Sequence, residues 1–381
     1  ALVRPDERHQ VVAALHELYA TPAVFSFGPF HGYFPGVLYD ERIPIPGRLV
    51  TYRAATALQV GALVALAAWL IEPDGLRLSL SRARQRRRTG AVFAVLALAA
   101  LVLHLLGPDL GHRTRRADIE ALLPLRAERP GLVLRFPPGT HADRVERLAD
   151  DAAYSLHRVE EALGAPKGEA ITVFFFDDAA QKGAAMGASD TNVAKPWRAE
   201  VYVLLDAIPH WVLRHELAHA VGARLADGPF DVPGALGGWI PDPGLIEGLA
   251  VFAQGPRSEL TVHQWAAAMR RVDLLPPLED LFGLGFFGLP ASSAYTAAGS
   301  FCRFVREEHG AAALAAVYGG AGFEEATGRS RADLEEAWHA RLDAEELTAT
   351  DEAAARHRFD RPSVIGTRCV HEVARLRARA A

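Results

Sequence analysis

Two uncharged apolar runs constrain this chain more than any other feature. They are "AATALQVGALVALAAWLI", residues 54–71, and "AVFAVLALAALVLHLL", residues 91–106. A bilayer core of roughly 30 Å takes about 17–25 helical residues. The first run is long enough, and Thr89, Gly90 and Gly107 extend the second. His104 is the one ionisable side chain in either run. Two core helices of a soluble protein would read similarly. Yet the runs flank a loop with arginines at 77, 82, 84, 86, 87 and 88, and that arrangement reads better as a transmembrane hairpin. Arginine excess near helix ends marks the cytoplasmic side. It outweighs Arg113, Arg115 and Arg116 after the second run. The rest of the chain is then expected on the outer face, which in a bacterium is the periplasm or the cell exterior.

The hairpin divides the sequence. Residues 1–48, with "FSFGPFHGYFPGVLYDERIPIPG", read as an extracytoplasmic loop region. Residues 49–108 are the hairpin, with its cytoplasmic loop at 72–89. Residues 109–130 read as a polar linker, 131–345 as a soluble domain, and 346–381 as the start of a further region. Ala1 in place of an initiator Met, and the uncapped helical pattern at the other end, read as cuts in a longer protein. Further membrane subunits or transmembrane segments are therefore expected among the partners, together with the lipid bilayer. The formal charge of −5 gives no sign of nucleic-acid binding. Cys302 and Cys369 are too few for a disulfide framework or a cysteine zinc site. Two buried thiols are the preferred reading over a single disulfide.

Within the soluble domain, strands come first and helices follow, an α+β order. "GLVLRF" and "EAITVFFFDD" read as strands around the helix pattern "ADRVERLADDAAYSLHRVEEALG". Residues 178–198 read as a loop and "AEVYVLL" as a further strand. From the next helix to about 343 the pattern is mostly helical. That helix contains "RHELAHAV", with His215, Glu216 and His219 in the order H-E-x-x-H. Positions i and i+4 share a helix face, so the two imidazoles can hold one ion. Glu216 beside them can take a proton from a zinc-bound water. Chance alone produces this motif in roughly one such chain in thirty, so a third ligand has to support it. The extended pattern H-E-x-x-H-x-x-G-x-x-H is excluded, because position 225 is Leu. Glu247 in "PDPGLIEGLAVFAQG" sits among apolar residues of a second helix, where a carboxylate is costly unless paired or ligating. It is the expected third ligand, with Asp242 as fallback. His210 reads as structural, and His263, His309 and His339 as surface or packing residues. The glycine-rich stretches lack a strand–glycine–helix phosphate context. No local Ser/His/Asp or Cys/His pattern stands out.

This combination resembles the gluzincins, the thermolysin-like zinc peptidases, and more narrowly the bacterial peptidase-MA-like domains. The resemblance covers about residues 131–345. It rests on His215-Glu216-x-x-His219 followed by Glu247 in "IEGLA". Three other stretches are similar: "AEVYVLL" to the family's substrate-binding edge strand, "YTAAGSFCRFVREEHG" to its tyrosine-bearing helix, and "SRADLEEAWHARL" to its closing helix. The resemblance implies a small sheet followed by a mostly helical zincin-like domain. It implies Zn2+ on His215, His219 and Glu247, Glu216 as general base, and Tyr295 as donor to the developing oxyanion. A peptide or protein would be the substrate. One departure is plain. Many gluzincins carry an acid four residues after the ligand Glu to orient the first His, and here that position is Val251. The alternative from another class is a non-catalytic zinc-containing module of a membrane transport or sensing assembly. An intramembrane protease is excluded by Arg214, Arg224 and Asp227 around the motif.

Overall fold

The computed structural model describes residues 18–28, 32–34, 47–72, 77–256 and 258–363. The chain forms two compact units, one from residues 1–124 with 176–191, the other from 125–175 with 192–381.

The first unit contains helices α1 (Gly47–Leu70) and α2 (Arg87–Leu105). Both are long and apolar enough to cross a membrane, and only 17% and 11% of their apolar stretches are buried. A soluble core helix would bury most of that surface. The two helices pack on each other instead. Trp69 stacks on Phe93, with ring centroids 6.0 Å apart, and lies over Gly90, where a Cβ would come within 2.8 Å of the indole. The indole N–H donates to the Ala83 carbonyl in the intervening loop, at 2.9 Å. Of residues 1–48, little lies within the described set. There Ser26–Gly28 pairs antiparallel with Gly32–Phe34.

The stretch 178–198, expected as a loop, is partly ordered into elements. Asp178 accepts a hydrogen bond from the Gln181 amide at 2.7 Å and starts a short helix, Ala179–Met186. That helix belongs to the first unit. Val24 N donates to Met186 O (2.9 Å), Arg48 Nη1 to Ala184 O (3.0 Å) and Thr114 Oγ1 to Ala185 O (2.7 Å). Alanine, a strong helix former, outweighs the small-residue look of this stretch.

The second unit is α+β. Strands β1 (Leu125–Arg129), β2 (Leu132–Phe136), β3 (Ile171–Phe176), β4 (Val193–Lys195) and β5 (Glu200–Leu204) form one sheet in the order β1-β2-β3-β5-β4. The β1/β2 and β4/β5 pairs are antiparallel and β2/β3 is parallel. β1 falls in the stretch read as linker. Its charged sequence, LRAER, hides a strand whose middle Ala127 alone is buried. β5 was expected at the sheet edge but lies inside it, and the three-residue β4 holds the edge. Glu200 to Val203 are all buried. The Glu200 carboxylate is tolerated there because Arg198 (Nε at 2.5 Å) and the Tyr202 hydroxyl (2.5 Å) both donate to it.

Helix α3 (Ala142–Leu163) lays Leu148, Ala152, Leu156, Val159 and Leu163 into the core at helical spacing. Next come α4 (Leu213–Gly222), α5 (Pro243–Gln254), α6 (Val262–Arg271), α7 (Ala291–Tyr318), α8 (Arg331–Asp343) and α9 (Ala349–Phe359). α4 packs on α3 and α5, and α5 packs on α7. The α5–α7 approach is close, since a Cβ on Gly248 would come within 2.9 Å of the Ala298 backbone. α9 packs on α6 and buries Phe359, so the core continues past residue 345. Cys302 is a buried free thiol, while Cys369 and the helical pattern at 369–376 lie outside the described residues.

Candidate metal centre

His210 holds the turn that leads into helix α4. The His210 Nε2 contacts the Leu204 carbonyl at 2.8 Å, and its Nδ1 accepts from the Leu213 amide at 3.2 Å. His210 is thus structural, as the sequence implies. One turn further on, His215 and His219 stand on one face with ring centroids 4.9 Å apart. α5 is started by Pro243 and by Asp242, whose side chain accepts from the Leu245 amide at 3.1 Å. Asp242 is therefore a helix cap, and the fallback ligand role does not form.

Glu247, one turn into α5, reaches the two imidazoles. Its Oε2 lies 3.3 Å from His215 Nε2 and 3.9 Å from His219 Nε2. The three ligand atoms all fall within 4.8 Å of one another. Zinc bonds of about 2.0–2.2 Å at tetrahedral angles place ligand atoms roughly 3.3–3.5 Å apart. The donor set therefore fits a zinc ion with modest adjustment. It is also chemically suited, with two imidazole nitrogens and one carboxylate oxygen. Burial lowers the His219 pKa to about 4, against the pull of Glu247. The neutral imidazole is the ligating form. Burial also opposes charge on Glu247, but the hydrogen bond with His215 holds its carboxyl below the usual carboxylate value. His219 turns Nε2 toward Glu247, and its Nδ1 is buried without a hydrogen-bond partner.

Glu216 follows His215 on α4 and is 6% exposed. Tyr295 is half-buried in the first turns of α7, its ring stacked on Phe286 with centroids 5.5 Å apart. Val251 presses against α7, and a Cβ on Gly299 would lie 2.5 Å from its Cγ1.

Two other clusters have the residue types for chemistry. His263 links Ser300 Oγ (2.8 Å) to the Glu307 carboxylate (3.2 Å), the pattern of a nucleophile relay that the local sequence does not reveal. Ser300 is fully buried and also accepts from Trp338 Nε1 at 3.0 Å, so this relay is core structure. A pocket of about 290 Å³ is lined by Arg158, Arg214 and Arg303. Each guanidinium is already engaged, with Glu161, the Gln254 carbonyl and Glu307 respectively.

No protein-family model matches this chain, and no curated protein matches it. The functional reading therefore rests on the residues themselves.

Proposed function

We propose that this chain is a membrane-anchored, zinc-dependent peptidase of the gluzincin type, with its catalytic domain on the extracytoplasmic side. The observation that carries the reading is the convergence of His215, His219 and Glu247 from two helices onto one point. His215, His219 and Glu247 would hold the zinc ion, which would supply Lewis acidity at the site. Glu216 takes the proton from the attacking water at its carboxylate and returns it to the leaving amine. Tyr295 Oη donates a hydrogen bond to the oxyanion. The six-arginine loop between two exposed apolar helices supports the membrane orientation.

The test uses the full chain in lipid nanodiscs, loaded with zinc and offered a broad peptide library. Glu216→Gln is expected to lower cleavage by at least about 100-fold while zinc stays bound. Full activity in that variant would overturn the mechanism. A native chain that binds zinc but cleaves nothing would favour the alternative, a binding module of a larger membrane assembly.

A further inference from the structure

Two polar atoms buried around the motif helix have no hydrogen-bond partner: His219 Nδ1 and the Tyr318 hydroxyl. Buried polar groups are nearly always hydrogen-bonded, so each requires an account. Tyr318 is the last residue of α7 and is 1% exposed. It reaches α4 after a break at Gly310, whose φ of 87° is a conformation that favours glycine. The tip of the phenol sits on Gly222, the last residue of α4. A Cβ on Gly222 would lie 2.9 Å from the Tyr318 oxygen and 3.1 Å from Cζ. Gly222 has ordinary helical angles, φ −56° and ψ −32°, so glycine here provides clearance rather than backbone freedom.

Gly222 follows His219 by three positions, which places both on one helix face. Helical side chains lean toward the N-terminus. Tyr318 therefore lies on the face of α4 that carries His219, near the helix end, and the two partnerless atoms are not hydrogen-bonded to each other in the metal-free structure. Burial, and then the Glu247 charge, raise the Tyr318 pKa. The phenol stays a neutral O–H, able to donate and to accept. A metal on His219 Nε2 puts the ring proton on Nδ1, and that N–H then needs an acceptor.

We propose that Tyr318 is a positioning residue of the metal centre, its hydroxyl serving as the acceptor for His219 Nδ1–H once Nε2 binds a divalent metal. This rests on the metal-centre reading above. It assigns to the far end of α7 an orienting role toward the second histidine of the motif, a role separate from the one at the Val251 position, which concerns His215. Tyr318 touches neither substrate nor metal, so its effect runs through His219.

The experiment compares the native chain with Tyr318→Phe in nanodiscs, which removes the hydroxyl alone. Zinc affinity is measured by competition with a chelating dye. Melting temperature is measured with and without zinc, and Co2+ binding is followed by its visible spectrum. The expected result is a zinc Kd weakened about 10–100-fold, an altered Co2+ spectrum, and a metal-free melting temperature unchanged or raised. The last expectation follows because the variant loses a buried hydroxyl that has no partner before metal binds. Native-like zinc affinity in Tyr318→Phe overturns the proposal while leaving the metal centre intact. A metal-free melting temperature that falls together with affinity assigns the hydroxyl to the fold and also overturns it. A native chain that takes up no stoichiometric zinc overturns the metal-centre reading and this inference with it.

Discussion

Glu247 Oε2 lies 3.3 Å from His215 Nε2, although the two residues belong to separate helices. With metal absent, that contact is a hydrogen bond between a carboxylate and an imidazole. With metal present, the same two atoms become neighbouring ligands. Glu247→Ala removes the oxygen donor and leaves two nitrogens. Zinc content of the dialysed protein, read by atomic absorption, is expected to fall from one equivalent to near zero. The affinity loss should exceed the roughly 10–100-fold typical of groups that only orient a ligand. Unchanged stoichiometry would refute the three-ligand site.

His263 is expected to make the fold sensitive to mild acid. Burial, with help from Arg303 and against the pull of Glu307, lowers its pKa from 6.5 to about 4. In the unfolded chain His263 takes up a proton near pH 6.5, whereas in the fold it resists until about pH 4. Between those values the unfolded state binds more protons, so stability falls as pH falls. From pH 7 to 4.5 this group alone should cost about 2–3 kcal/mol. His263→Gln should flatten that part of the profile, measured as urea midpoints at the two pH values. Parallel profiles for the two proteins would remove His263 as the source.

The orientation of the hairpin can be read by labelling. Ser81 and Glu259 are both exposed, one in the arginine-rich loop and the other in the second unit. In intact cells a membrane-impermeant maleimide should label Glu259→Cys once the outer barrier is opened. It should reach Ser81→Cys only after the inner membrane is disrupted. The reverse pattern would invert the assigned orientation.

The His215, His219 and Glu247 group was legible because its signals are local. The H-E-x-x-H spacing speaks for one helix, and Glu247 stands out as an acid set among Leu245, Ile246 and Leu249. The apolar pair of helices was legible from length and charge alone. Tyr318 was not, since nothing near it in sequence marks it. Its placement depends on the break at Gly310 and on the clearance left by Gly222, which only the packed helices reveal. The edge position of β5 rested on the family resemblance alone, and the three-residue strand that covers it, Val193–Lys195, is too short to register in the sequence. β1 was hidden by charges that face outward along a half-covered strand.

The path of the chain between β3 and β4 has a practical consequence. The polypeptide leaves the sheet, contributes Ala179–Met186 to the unit of the apolar helices, and returns at Asn192. Val24, Arg48 and Thr114 clasp that excursion through backbone carbonyls. A protease nicking the stretch between Leu105 and Leu125 would sever the only covalent tether there, yet this clasp would remain. Releasing the second unit from the two apolar helices would take two events, a cut and an unclasping.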